Sequence, residues 1–498
     1  MRGRSTLLAL LAAALLLTAV AWLRGAEYDE QYTLFLTGGV ARPIWPTAVI
    51  TAGEVRRLQA GHASLAAIAY DLRATDVHPP LYFWLVDAWR GLAGHSLFAA
   101  RFASVLCSVV TLAVVATIAR SVGVAPAPAV LLTVGCYGFA YTGAIARGFA
   151  LAQMLSVAGV ALLLAPRRRP LAAGALLGAA TFANYLAVFV ACAGLVHTVI
   201  AGRRRGPASS PGPFRPLAMA ADPVIAGFAI WLPADLWFFL AQHQSRNGQF
   251  APFEPAAALA RLAEYFVANV FGGLPLYVDG AARRAVAMAL AALLAGLFLM
   301  IVRRWRQIAG PDTRLLLAMA AIAPPFGLLV LGLVFNNTPI ELRYLAFAMP
   351  FMSLLLAAAL ARHIRHIVLA VQAAALIGLM TCPETMQPAR ATADAAAPFA
   401  RGGVVLVPRG NDGVGIVGAL AVEAPLSMRL LVIGPDATQA QMRARAFGFP
   451  RVVLAMLGQD AASRATLPRM RQAFTGPCWH AVGEGFNVLA FDRICGDE

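Results

Sequence analysis

The chain has 498 residues, 60% of them hydrophobic and only 13% charged, with a formal net charge of +16. Soluble domains run at about 45–50% apolar and about 25% charged, so an ordinary soluble enzyme is excluded, and so is a disordered basic protein, which would be poor in apolar residues. All 40 basic residues are arginine, an excess that points either to nucleic acid or to membrane topology.

A spanning helix needs about 20 mostly apolar residues. The first run, 5–23, follows Arg2 and Arg4 and begins like a signal peptide. Many apolar runs come after it, so an uncleaved first span is the simpler reading. Residues 25–97 then form a first outer loop. Further runs alternate in direction at 98–119, 127–144, 148–165, 171–183, 186–201, 221–240, 285–302, 315–335, 344–361 and 366–382. The sequence therefore predicts a mainly α, polytopic membrane protein of about eleven transmembrane helices. The pair within 171–201 is short for two spans, but arginines flank it and Asn184-Tyr185 offers a turn.

In this path Arg120, Arg167–Arg169, Arg203–Arg205, Arg303–Arg306 and Arg362/Arg365 all lie on the inner side. The inner segments carry sixteen arginines against Asp222 and Asp312 alone, so nearly all the net charge faces the cytoplasm. That is the positive-inside pattern, and it removes nucleic acid as a partner. It predicts a multi-pass protein of a bacterial inner membrane with a cytoplasmic N-terminus. Residues 203–216, rich in Arg, Pro and Ser, read as an irregular inner loop.

Past 382 the character changes. Residues 1–382 form the membrane domain, 383–400 a linker, and 401–498 a small α/β domain on the periplasmic side. Its strands are the β-branched runs 404–407, 430–433, 452–456 and 488–491, with helical patterns near 436–447 and 460–473. Cys478 and Cys495 bracket a final hairpin and are the candidate disulfide outside an inner membrane. Cys107, Cys136 and Cys192 lie in apolar runs and read as buried small hydrophobes. No cysteine spacing fits a zinc site. Gly413–Gly418 fits G-x-G-x-x-G after a strand-like run, but dinucleotides are scarce outside the membrane and chance is the better explanation in a chain with 43 glycines.

Polar residues at the outer face carry the functional signal, because charge near lipid needs a use or a partner. Glu27, Asp29 and Glu30 follow the first span directly, and Glu54, Asp71, Asp76, His78 and Asp87 share their loop. Two readings are open for the first cluster. A carboxylate there can take a proton from an attacking hydroxyl, or the cluster can cap the first turn of a helix. Pro79-Pro80 suits a helix start, and the aromatic segment 81–93 is too short to span and reads as interfacial. The loop 241–284 holds His243, Gln244, Arg246, Asn247, Glu254, Glu264, Tyr265 and Asp279 in no spacing that identifies a chemistry.

Taken together, the acidic pair after the first span, His78-Pro79-Pro80-Leu81-Tyr82, Arg101-Phe102-Ala103-Ser104, Ala146-Arg147-Gly148-Phe149-Ala150-Leu151 and Arg343-Tyr344-Leu345 through Pro350 resemble glycosyltransferase family 39 of the GT-C fold. That family is related to protein O-mannosyltransferases and lipid A aminoarabinose transferases. The resemblance covers roughly 1–382. It implies transfer of a sugar from a polyprenyl-phosphate donor to an acceptor hydroxyl with inversion, the acceptor being an envelope glycan, lipid or protein. Carried over, Asp29 is the catalytic base and Glu30 its acidic neighbour. His78, Tyr82, Arg147, Arg343 and Tyr344 are donor-binding candidates, the arginines because their forks suit phosphate. Gly148-Phe149 departs from the family, where Pro or Met with Tyr is more usual. No cofactor is required, and no ligand cluster calls for a divalent metal.

A lipid or polysaccharide transporter is the competing class. Transporters place coupling charges near the bilayer midplane, whereas the inner thirds of these spans are almost free of charge and Asp235 sits near an outer end. A silent scaffold for the C-terminal domain leaves the outer Asp, His and Arg set without a use.

Overall fold

A computed structural model of the chain describes residues 2–165, 169–205, 222–243, 251–338, 340–382, 388–458 and 460–495. The inner loop 203–216 and Arg167 and Arg168 therefore lie mostly outside the described residues. The chain divides into two compact units, Met1–Trp22, Leu72–Tyr82 and Arg101–Cys382 in one, and Leu23–Asp71, Phe83–Ala100 and Pro383–Glu498 in the other.

The first unit is helical. Among the described residues, six helices are long and apolar enough to cross a membrane: Gly3–Leu23, Leu97–Ser121, Gly280–Arg303, Pro311–Phe335, Leu342–Ala359 and Arg362–Thr381. A seventh is counted if Pro223–Ala229 and Leu232–Gln242, bent by 45°, form one span. Every other predicted run is also helical but shorter or broken. Phe149–Leu164, Pro170–Thr181 and Tyr185–Ala201 fall below full spanning length, and 127–144 splits into Pro126–Val134 and Tyr137–Thr142. Among the described residues, six or seven helices have the length and composition of a full span, and local breaks shorten the other predicted runs. Within 171–201 the expected turn is present, and the Asn184 side chain caps it by accepting from the Leu186 N–H at 3.0 Å.

Small residues set one helix crossing. A Cβ on Gly174 would lie 1.9 Å from the Val224 carbonyl oxygen, and one on Gly227 would lie 2.1 Å from that of Leu171. Backbones meet directly there, the arrangement that small residues permit between apolar helices. Cys107 and Cys136 are buried as expected, but Cys192 is exposed on its helix. An apolar run that crosses lipid need not bury every face, which is why the expectation failed there.

The second unit is an α/β fold with a six-stranded sheet in the order β1-β3-β2-β4-β6-β5. Its strands are β1 (Ile50–Thr51), β2 (Val404–Pro408), β3 (Arg429–Ile433), β4 (Arg451–Ala455), β5 (Trp479–Gly485) and β6 (Val488–Arg493). Strands β3, β2 and β4 are parallel, and β1, β6 and β5 pair antiparallel. Val405 and Val407 face one core with Val417, Leu420, Phe35, Ala52 and Val55. Val404 and Leu406 face the other with Leu431, Met442 and Met470. Burial on both faces is what makes β2 a continuous apolar run. Cys478 and Cys495 are joined in a disulfide.

The unit boundary differs from the expected one. Most of the first outer loop folds with the C-terminal segment, and its Ile50 sits opposite Leu430 across the β1–β3 ladder. The presumed linker is not all linker either: Ala389–Ala396 is a helix that buries Ala389, Thr392, Ala393 and Ala396. Its contact stripe is made of small side chains, so hydropathy does not reveal it. Residues 383–387 lie outside those described.

The Gly174 contact generates a sign test. Gly→Ala in a helix interior ordinarily stabilises by about 0.5–1 kcal/mol. Gly296→Ala, where a Cβ meets nothing within 4 Å, is expected to raise or preserve the melting temperature of the detergent-solubilised protein. Gly174→Ala is expected to lower it, by about 1–3 kcal/mol of overpacking.

Candidate functional site

In the second unit, the helix Tyr28–Thr37 begins where a sequence of carboxylates makes it begin. Glu27 is its extended N-cap, and Glu30 reaches back so that its Oε2 accepts from the Glu27 N–H at 3.0 Å. Arg24 pairs with Glu27 at 2.5 Å, both side chains buried. Reciprocal capping of this kind satisfies backbone donors that the first turn leaves open. Glu30 is fully buried in that role, whereas Asp29 is half-buried in the same turn. The capping reading thus fits Glu27 and Glu30, and Asp29 is the carboxylate of this cluster with access to solvent.

In the first unit, three side chains that the sequence separates by up to 71 residues come together. His78 Nδ1 lies 2.8 Å from Asp76 Oδ1, and that oxygen also accepts the Val77 N–H at 2.6 Å. Arg147 Nη2 lies 3.2 Å from His78 Nδ1 and 3.4 Å from Nε2. His78 thus stands between the two, with Nδ1 on the carboxylate and both ring nitrogens within reach of the guanidinium. Burial opposes the charge on Asp76, but His78, Arg147 and the Val77 N–H outweigh it and hold the carboxyl well below the ordinary range. The result is a buried guanidinium fixed from behind by a histidine and a carboxylate.

The polypeptide around His78 is itself held. Gln242 Nε2 donates to the carbonyls of Leu72 (2.8 Å) and His78 (3.1 Å), and Tyr185 donates to Gln242 Oε1 at 2.8 Å. Tyr82 is fully buried and shares a hydrogen bond with Ser104 at 2.9 Å, so its hydroxyl serves packing. At Gly148 a Cβ would stand 2.5 Å from the Ala183 carbonyl oxygen, which explains why a larger residue is missing from this motif.

Arg343 and Tyr344 lie on the 3-10 segment Leu342–Ala348. Arg343 Nη2 pairs with Glu341 Oε2 at 2.6 Å, and its guanidinium lies 5.6 Å from the Tyr344 ring. The Tyr344 ring stacks on Phe149 with centroids 6.2 Å apart, so the Arg147 and Arg343 motifs adjoin. Asn269 ties the same segment to its neighbour: its Oδ1 accepts the Gly138 N–H at 2.7 Å and its Nδ2 donates to the Leu342 carbonyl at 2.6 Å.

Asp76, Gln242 and Asn269 were not singled out from the sequence as site residues. The signal for the two amides was their place at the ends of apolar helices, where a buried polar side chain needs a specific partner. In the loop 241–284, His243 is exposed and hydrogen-bonds the Leu240 carbonyl, and Glu264 meets Arg283 at 3.6 Å on the surface. Gln244, Arg246 and Asn247 lie outside the described residues. Among the described residues no three His, Cys, Asp or Glu side chains group as a metal site.

Gly413–Gly418 does follow a strand and open a helix, Gly415–Glu423. The anion position at its N-terminus is already taken by Asp412, whose Oδ1 accepts the Val414 N–H at 2.8 Å. The Tyr28 ring fills the space beside Gly415, 2.2 Å from where a Cβ would stand. A pyrophosphate has no place there.

Two outcomes are expected from these contacts. Asn269→Ala leaves a buried N–H and a buried carbonyl without their partner, and should destabilise the protein by about 1–3 kcal/mol for each group left unpaired, read by thermal melting. Asp76 has a lowered folded-state pKa, so its contribution is full above the ordinary carboxylate value of about 4 and is lost as pH falls below it. The melting difference between the protein and its Asp76→Asn variant should therefore be present at pH 5–7 and shrink below about pH 4.

Comparison with known proteins now bears on this arrangement. Residues 77–231 match the family described as dolichyl-phosphate-mannose-protein mannosyltransferase. No curated protein matches the sequence significantly. Among solved structures, ArnT from Cupriavidus metallidurans bound to undecaprenyl phosphate shares the fold, at 13% identity over 99% of both chains and a TM-score of 0.51. The apo state of ArnT from the same organism gives 14% identity over 100% of both chains and a TM-score of 0.50. The matched stretch contains His78 and Arg147, and the likeness of fold runs the length of the chain: this is a multi-pass membrane protein of the GT-C fold, similar to glycosyltransferase family 39.

Proposed function

We propose that the protein is an integral membrane glycosyltransferase that transfers a sugar from a polyprenyl-phosphate donor to an acceptor hydroxyl at the outer face of a bacterial inner membrane, with inversion. The observation that carries the reading is the buried Asp76–His78–Arg147 constellation inside the stretch that matches the mannosyltransferase family. The ArnT structure with undecaprenyl phosphate supports a polyprenyl-phosphate donor. The bias of arginines toward one set of loops supports an inner N-terminus and an outer C-terminal segment.

In this reading Asp29 accepts the proton of the acceptor hydroxyl. The freed oxygen attacks the anomeric carbon opposite the phosphate, the carbon–oxygen bond to phosphate breaks, and its electron pair leaves with the phosphate. Attack from the opposite side inverts the centre. Arg147 and Arg343 stabilise the departing anion through charge-assisted hydrogen bonds, with Tyr344 beside Arg343 and His78 holding Arg147. Asp29 is preferred over Glu27 and Glu30 because those two are engaged in capping. The acceptor is an envelope glycan, lipid or protein, and membrane lipids surround the helices.

Purified protein in detergent or nanodiscs, with a polyprenyl-phosphate sugar and an acceptor extract, tests this. Asp29→Asn should lower sugar transfer at least about 100-fold while leaving membrane insertion and polyprenyl-phosphate binding intact. Arg343→Ala should raise the KM for donor. Full transfer by Asp29→Asn removes the assignment of the base.

A further inference from the structure

The catalytic reading leaves the C-terminal segment without a task, yet that segment supplies most of the second unit. Within it, the helix Gly415–Glu423 lies against residues 23–37 along its whole length, and acidic side chains at both of its ends grip that stretch. At its start, Asp412 Oδ2 accepts from Tyr28 at 2.8 Å and from Tyr32 at shorter range. Arg42 approaches the same carboxylate at 3.7 Å, and Trp45 Nε1 donates to the Gly413 carbonyl at 2.6 Å. At its end, Glu423 Oε1 accepts the Ala26 N–H at 2.6 Å and its Oε2 pairs with Arg390 at 2.8 Å. Arg390 in turn donates to the carbonyls of Leu23 (2.6 Å) and Arg24 (3.2 Å).

Between these ends Gly415 and Gly418 bring the two helices close. A Cβ on Gly418 would lie 2.8 Å from the Phe35 ring and 2.9 Å from Gln31 Oε1. Tyr28, Gln31, Tyr32 and Phe35 form one stripe at i, i+3, i+4 and i+7, and Asp29 sits beside its first member. Residues beyond 388 supply the contacts at Tyr28, Tyr32 and Ala26, while Gln59 Nε2 donates to Gln31 Oε1 at 2.9 Å and Arg90 donates to the Leu34 carbonyl at 3.3 Å.

We propose that Asp412 and Glu423 are positioning residues that set the Asp29 carboxylate, so that the C-terminal segment acts as the rigid seat of the catalytic base. This rests on the assignment of Asp29 above. The magnitudes favour it. With Cα atoms about 2.3 Å from the helix axis, a roll of about 25° moves the Asp29 Cα by about 1 Å. A misplacement of about 1 Å can lower a rate about 100-fold. The two tyrosine hydroxyls and the Glu423–Ala26 bond resist such a roll at the end of the helix that carries Asp29, and Gln59 and Arg90 hold its later turns.

The test measures kcat and donor KM for Asp412→Ala, Glu423→Ala and the Tyr28→Phe/Tyr32→Phe pair in the full-length protein. The number of polyprenyl-phosphate molecules bound per chain is titrated alongside. Asp492→Ala serves as the control: it removes the Arg451–Asp492 ion pair of the same unit (2.5 and 2.8 Å), which joins β4 to β6 and touches none of residues 23–37. The expected result is a kcat lowered about 10–100-fold per donor-binding chain in the first three variants, with donor KM within about twofold, and an unchanged kcat for Asp492→Ala. Asp412→Asn, which keeps an oxygen for the Val414 N–H, should fall between. Unchanged kcat in the three variants overturns the proposal, and so does an equal loss in Asp492→Ala, which signals general destabilisation. Inactive Asp29→Asn with active Asp412→Ala discards the seat and keeps the base; active Asp29→Asn discards the base itself.

Discussion

Hydrocarbon offers no hydrogen bonds, so every irregular stretch of backbone in the helical unit must find its partners within the protein. The candidate site is made of such stretches: the 76–80 turn, the break between Thr142 and Phe149, and the 3-10 segment 342–348. Buried amides anchor the first and third, and at the edge of the second Gln153 Nε2 donates to the Thr142 hydroxyl at 2.8 Å. Gln242 holds the carbonyls of Leu72 and His78, Asn269 bridges Gly138 to Leu342, and Gln372 donates to the carbonyls of Val270 (2.8 Å) and Leu132 (3.2 Å). Arg147 and Arg343 are placed by these anchors as much as by their own contacts. A guanidinium on a free surface helix would spend part of any binding energy on being ordered; here the ordering is complete beforehand.

Reading the sequence located the apolar runs, the strands of the C-terminal segment and the motifs around His78, Arg147 and Arg343, because each is a local pattern. Hydropathy marks a helix that meets lipid, and burial on both sheet faces makes β2 and Val452–Ala455 of β4 continuous apolar runs. What escaped was set by contacts distant in sequence. Ile50 and Thr51 are a two-residue strand whose partner, β3, lies nearly 380 residues away, and nothing local distinguishes them from loop. Ala389–Ala396 packs through alanines, which carry little hydropathy signal. Cys192 looked buried because its run is apolar, but lipid accepts an apolar face that water would not. The helix Gly415–Glu423 hid behind a nucleotide-like glycine pattern, although its glycines exist to admit Tyr28, Gln31 and Phe35.

The carboxylates after the first span show how far local chemistry goes. From spacing alone, general base and helix cap were both open for Glu27, Asp29 and Glu30. In the structure, N-cap and N3 close the capping box, and Asp29 between them on the turn keeps its access to solvent. Capping by two of the carboxylates is compatible with the base proposed for the third. A helix whose first turn is closed by two buried carboxylates holds a third, adjacent one in a defined direction.

The same logic accounts for the uneven likeness to known proteins. The mannosyltransferase family matches only 77–231, whereas the fold of ArnT is shared along the whole chain at 13% identity. Residues that hold a buried arginine must be of particular chemical types, so the His78 and Arg147 stretch stays legible as sequence. The sheet unit must instead supply volume and pattern, and many apolar residues of suitable size fill a core equally well. The family match therefore stops short of the C-terminal segment, whereas the likeness of fold includes it. The Tyr28–Thr37 helix packs on that unit through shape, with polar contacts at Tyr28, Tyr32, Gln31 and Leu34.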